Sequence, residues 1–126
     1  MQLELLPDRL AICRLEPEDA TLDSDLGEGF LSVTFTEDEV SVVCEEALAP
    51  SNARVERGWR CLRVIGPLDL EMVGVLASVS QILAGAGIPI FVISTFDTDY
   101  VLVRTALLDD AIRALAGAGH EVNSSS

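Results

Sequence analysis

Apolar residues recur along this chain in two rhythms, and the switch between them marks its elements. Leu3 to Leu6 is a short apolar run that Pro7 and Asp8 interrupt, and Arg9 to Leu15 resumes it. Leu10 and Ile12 alternate with Ala11 and Cys13, which suits a strand. Glu16 to Glu28 is acidic, broken by Pro17 and Gly27, and reads as a loop or a short helical turn. Phe30 to Thr36 and Val40 to Glu45 alternate with period two around the polar segment Glu37, Asp38, Glu39, which predicts a β-hairpin. Glu46 to Gly58 carries Pro50, Ser51 and Asn52 and reads as a loop, the best boundary between two halves.

The second half is more sharply written. Trp59 reads as a packing anchor, and Cys61 to Ile65 as a strand ended by Gly66 and Pro67. Apolar positions at Met72, Val75, Val79, Ile82 and Ala86, beside a second line at Leu70, Val73, Leu76 and Leu83, predict a core-facing helix. Gly85, Gly87 and Pro89 stop it. Ile90 to Phe96 is a continuous β-branched and apolar run, hence a strand covered on much of both faces. Asp97 and Thr98 turn the chain, and Asp99 to Thr105 returns as a strand. Leu108 to Ala116 is a short helix ended by Gly117 and Gly119, and His120 to Val122 adds a last strand.

Each half therefore offers strand, connection, hairpin and closing segment. This is the β-α-β-β-α-β order of a ferredoxin-like unit. The expected fold is α+β: two such units in tandem, an antiparallel sheet with helices on one face, and a degenerate N-terminal copy. Residues 1–58 would form the degenerate unit, 59–122 the complete one, and 123–126 a flexible tail. A unit of about 60 residues is marginal alone, so two sharing burial are favoured over separate beads.

Composition narrows the chemistry. The chain has 126 residues, 49% of them hydrophobic, and a formal net charge of -13. That charge disfavours nucleic acid and anionic membrane as partners. No run of about 18 apolar residues is present and no basic segment precedes an apolar one at the N-terminus, so neither a membrane span nor a secretion signal is expected. Cys13, Cys44 and Cys61 are dispersed within apolar segments. They read as small buried hydrophobes, reduced in the cytoplasm, rather than as metal ligands. His120 is the only histidine and has no nucleophile in a motif context. GPLDLEMVG lacks the Lys-Ser/Thr pair of a phosphate-binding loop. Neither an enzyme nor a bound cofactor or metal is expected.

The stretch RVIGPLDLEMVGVLASVSQILAGAGIPIFVISTFDTDYVLV resembles the C-terminal half of the small tandem ACT-domain proteins of bacteria. Its strand motif ISTFDTDYVLV is similar to that of the CASTOR-type arginine sensors of animals. FLSVTFTEDEVSVVCEE and VERGWRCL extend the resemblance to residues 9–122. The resemblance implies a regulatory, allosteric fold that binds an amino acid or similar metabolite where ACT-like units pack side by side. It places the ligand against Gly66 to Leu70 and Ile93 to Phe96.

Physical chemistry of those positions is compatible. Gly66 allows close backbone approach, and Leu68, Asp69 and Leu70 offer amides near a helix N-terminus, where a carboxylate is favoured. Asp69 either caps its helix or meets a ligand ammonium, and Asp99 is the alternative cation partner. Ile93, Ser94 and Thr95 supply strand backbone and hydroxyls, which backbone groups of the chain itself are equally able to satisfy. The competing expectation is a ligand-free interaction module that forms a homodimer or docks a partner enzyme.

Overall fold

The structure, a computed structural model, describes residues 2–20, 29–65 and 74–124. Its strands are β1 (Gln2–Leu5), β2 (Leu10–Leu15), β3 (Leu31–Phe35), β4 (Val40–Glu45), β5 (Arg54–Val64), β6 (Phe91–Ser94), β7 (Asp99–Arg104) and β8 (Glu121–Ser124). Its helices are α1 (Val75–Gly85) and α2 (Leu108–Gly117), with 3-10 turns at Pro17–Asp19, Glu46–Leu48 and Thr105–Leu107. Two compact units result: residues 8–59, and residues 1–7 together with 60–126. The long strand β5 gives its first six residues to the former and the rest to the latter.

In the unit of residues 8–59 the strands lie in the order β3-β4-β2-β5. All three pairings are antiparallel. The hairpin between β3 and β4 forms as its alternation predicts, with Leu31 opposite Cys44 and Phe35 opposite Val40. Ala11, Cys13, Leu15, Val40, Val42 and Cys44 form its buried cluster. Connections that would carry helices in a complete β-α-β-β-α-β unit carry 3-10 turns among the described residues.

Over Glu46 to Gly58, expected as a loop with room for a helical turn, a 3-10 turn occupies Glu46–Leu48, and the correction is that β5 has already begun at Arg54. A bulge conceals the strand's period. Leu10 faces Trp59 while Ile12 faces Glu56, so β5 spends one residue more than β2 over that interval. Gly58 sits there at φ 83, a left-handed conformation that glycine adopts freely. The strict two-residue alternation is lost at that point, and charged Arg54, Glu56 and Arg57 read as loop.

The second unit has the strand order β6-β7-β5-β1-β8. β1 lies between β5 and β8, antiparallel to the first (Leu3 opposite Val64) and parallel to the second (Leu3 opposite Val122). The N-terminal strand thus occupies the place beside β5 that the closing strand of a simple ferredoxin-like unit would take. Residues 1–7 belong to this unit, whereas the sequence pattern groups them with the segment that follows. The β1–β5 and β6–β7 pairings are antiparallel, and the β1–β8 pairing is parallel.

Helices α1 and α2 pack on one face of this sheet. Val79 and Leu83 of α1, and Leu108, Ala111 and Leu115 of α2, are buried with Leu3, Leu62, Val64, Val101 and Val103. The α+β class, with an antiparallel sheet and helices on one face, is the fold that the chain adopts. Gly87 ends α1 at φ 74, and the Gly87 and Ile88 amides donate to the Ala84 and Leu83 carbonyls at 3.0 and 2.9 Å. This paired bonding satisfies the carbonyls a helix end leaves open, and buried Ile88 seals it. Gly119 and His120 end α2 in the same way. The helix expected from Leu70 is described from Val75 onward, and its expected N-cap, Asp69, lies outside the described residues. Among the described residues no helix is long and apolar enough to cross a membrane.

Leu3 is fully buried although it is the third residue of the chain. Leu3→Ala should lower the unfolding free energy by about 2–5 kcal/mol, the cost of a core truncation. Urea titration measures this, and a loss below roughly 0.5 kcal/mol would mark β1 as a loosely attached terminus.

Candidate functional site

Of the residues singled out from the sequence, Gly66, Leu68, Asp69 and Leu70 lie outside the described residues. Ile93, Ser94, Thr95 and Asp99 are described, and one hairpin brings them together. β6 and β7 pair with Ile93 opposite Tyr100 and Ser94 opposite Asp99. Ser94 Oγ donates to Asp99 Oδ1 at 2.6 Å, across the last pair before the turn. The hydroxyl thereby orients the carboxylate, a group whose two oxygens together accept several hydrogen bonds.

The turn itself, residues 95–98, is held by threonines. The Thr95 amide donates to the Thr98 carbonyl at 2.8 Å, and the Thr95 hydroxyl donates to the same carbonyl at 3.1 Å. The Thr98 amide donates back to Thr95 Oγ1 at 3.3 Å. A threonine hydroxyl bonding backbone two or three residues away is a common way of fixing a tight turn. Phe96 stands on its outside, 81% exposed.

Thr98 is the residue that sequence reasoning missed. The sequence marks it only as a turn position, yet it is 6% exposed, and its hydroxyl donates to the carbonyl of Val64, the last residue of β5. The hairpin tip is therefore tied to the place where β5 ends, next to Ile65. The only signal in the sequence is a β-branched hydroxyl between two acids in Asp97-Thr98-Asp99.

Thiol chemistry does not point to a nucleophile. Cys13, Cys44 and Cys61 are free and buried. Burial pushes the Cys13 thiol up to about 12, and neighbouring Cys44, to which it hydrogen-bonds, adds to this. Burial alone accounts for the rise of Cys61 to about 12, and it also raises Cys44. Protonated thiols are poor nucleophiles and poor metal ligands. Among the described residues no group of three or more His, Cys, Asp or Glu could hold a metal ion.

An open cleft of about 260 Å³ lies within residues 8–59, lined by Asp8, Arg9, Glu45, Glu46 and Ala47. Glu46 is committed to structure there: its carboxylate accepts from the Gly58 amide at 2.9 Å, and its carbonyl accepts from Arg57 Nη1 at 3.0 Å.

Comparison with known proteins gives these geometries a context. Residues 54–117, just over half of the chain, match the ACT domain family model. A separate family model, described as an N-terminal domain, matches residues 8–52. A crystal structure of a protein from Agrobacterium tumefaciens is 37% identical, with a TM-score of 0.90 over 99% of this chain and 93% of that one. A protein of unknown function from Vibrio cholerae, described as a possible transport protein, is 21% identical, with a TM-score of 0.72 over 92% of this chain and 88% of that one. The regulatory subunit of aspartate kinase from Thermus thermophilus is 14% identical, with a TM-score of 0.67 over 93% of this chain and 96% of that one, a likeness of fold.

The raised thiols carry a pH signature. In the folded chain Cys61 titrates near 12, against an ordinary value of 9.0. Between those values the unfolded chain releases protons that the folded chain keeps, so stability falls as pH rises. The buried thiols should add no slope to the urea midpoint below about pH 9 and a decline from about 9 to 12. Cys61→Ala should flatten part of that decline, and an unchanged slope in the variant would contradict the assignment.

Proposed function

The chain belongs to the ACT-domain family, and from that premise we propose that it is a non-catalytic regulatory protein that binds an amino acid or similar small metabolite. The ligand seat of this proposal has two sides. One is the segment that follows β5 in the sequence, with Gly66 for close approach and the amides of Leu68, Asp69 and Leu70 for the ligand carboxylate. The other is the end of β6, where Ile93, Ser94 and Thr95 offer backbone and hydroxyl groups and Asp99 meets the ligand ammonium.

The observation that carries the reading is the tie between the hairpin tip and Val64. It ties the turn between Ser94 and Asp99 to the end of β5, which supports a seat shared by groups distant in sequence. A carboxylate already oriented by a hydroxyl suits recognition of a cation, because little ordering remains to be done on binding. The regulatory role of the Thermus thermophilus neighbour supports the same reading. Residues 8–59 belong to the proposal as a degenerate ACT-like copy, on the strength of their strand order β3-β4-β2-β5. So does kinship with the CASTOR-type sensors, without their ligand.

A second reading has one observation in its favour. Phe96, 81% exposed at the tip of a well-fixed turn, suits contact with a second copy of the chain or a partner enzyme. A thermal-shift screen against the common amino acids separates the two. Binding to the folded state alone raises Tm in proportion to RT ln(1 + [L]/Kd). One compound class should raise Tm reproducibly, and Asp99→Asn should weaken that compound by about tenfold or more, the scale of a lost charge-assisted hydrogen bond. No response across the set would set aside sensing and leave the docking module.

A further inference from the structure

Thr98 is the only polar residue that is buried among the described residues. Every polar group it has is engaged or directed. Its carbonyl accepts from the Thr95 amide and hydroxyl at 2.8 and 3.1 Å, and its amide donates to Thr95 Oγ1 at 3.3 Å. Its hydroxyl leaves the turn altogether and donates to the Val64 carbonyl. Val64 is itself wholly buried in the core, and the next amide, that of Ile65, donates to the Gln2 carbonyl at 3.0 Å. The end of β5 is thus held from two directions, by β1 through Ile65 and by the hairpin through Val64. The residue after Thr98 is Asp99, whose carboxylate takes the Ser94 hydroxyl.

We infer that Thr98 is a positioning residue for the ligand seat: its hydroxyl latches the β6–β7 turn to the end of β5 and fixes where Ser94 and Asp99 stand. This inference rests on the function proposed above and adds to it a residue that touches no ligand. A turn closed only by Thr95 would keep its own shape. The β7–β5 pairing already sets the strands side by side, and the hydroxyl adds a buried tie at the turn end of that pairing, where Ser94 and Asp99 stand. A hydrogen bond lost in a buried setting costs more than one lost at the surface. Serine retains the donor and valine retains the volume, so the two substitutions separate the bond from the packing.

The test uses the full chain and three readouts: global urea stability, native-state exchange of the Thr95 and Ile65 amides, and calorimetric affinity for each common amino acid. Thr98→Val should speed exchange at both amides and weaken the amino acid that binds the wild type, each on the order of tenfold, under conditions where the chain remains folded. Thr98→Ser should restore both, a rescue that a purely space-filling role would not give. Should valine prevent folding, Thr98→Ala removes the hydroxyl without adding bulk and is read in the same way. A hydroxyl-free variant that folds and keeps wild-type exchange and wild-type affinity overturns the inference while leaving the sensing function intact. A wild type that binds none of the amino acids removes the seat and the positioning role with it, whatever the exchange rates.

Discussion

Within the unit of residues 1–7 and 60–126, the pairing of β1 between β5 and β8 is the constraint on which the other features rest. A strand of four residues has no stability of its own. It persists because it has a neighbour on each side and because Leu3 is buried wholly, a transfer worth roughly 1.5–3 kcal/mol. The ion pair from Arg63 to Glu4, at 3.0 Å between half-exposed side chains, adds at most about 1 kcal/mol. Hydrophobic burial therefore sets the position, and the ion pair and backbone ladder set the register. The consequence reaches the candidate site. β1 also supplies the Gln2 carbonyl that holds the Ile65 amide, so the first residues of the chain help decide where β5 stops.

Much of this was legible beforehand, for physical reasons that differ by element. The β3–β4 hairpin and α2 announce themselves through the period of their apolar positions, and β6 and β7 through β-branched and apolar runs on either side of a polar turn. α2 runs Leu108–Gly117 against an expected Leu108 to Ala116, since apolar spacing and terminal glycines act together. Two things were not legible. The first half of β5 hides behind the bulge at Gly58, where an extra residue breaks the alternation that would reveal a strand. The placement of β1 depends on partners some sixty and one hundred and twenty residues away, Val64 and Val122, and no local pattern encodes which edge a short apolar run will join.

The candidate site divides along the same line. Ser94, Thr95 and Asp99 stand out in sequence because hydroxyls and acids near a strand end are conspicuous against an apolar run. Thr98 does not, since turns are rich in such residues and only burial distinguishes a latch from an ordinary turn position. Its hydroxyl, not its place in the chain, makes it different, and the partner is a backbone carbonyl that any residue at position 64 would present. Side chain to backbone contacts of this kind leave almost no trace in composition. They are also the kind that joins one element to another without a second conspicuous residue.

Magnitudes indicate what such a latch is able to do under the proposed function. A micromolar ligand binds with about 8 kcal/mol, whereas one intramolecular hydrogen bond contributes a net of about 0.5–1.5 kcal/mol. The latch is therefore too weak to supply affinity and strong enough to govern it. If its loss lets the hairpin leave the binding-competent arrangement nine times in ten, apparent affinity drops tenfold although every ligand contact survives. The same arithmetic limits regulation: a ligand shifts an equilibrium between two arrangements only by the difference in its affinity for them. A small tie at the turn end of the β7–β5 pairing is well matched to that task. It is weak enough for ligand contacts to outweigh, yet buried enough at Thr98 to favour one position before the ligand arrives.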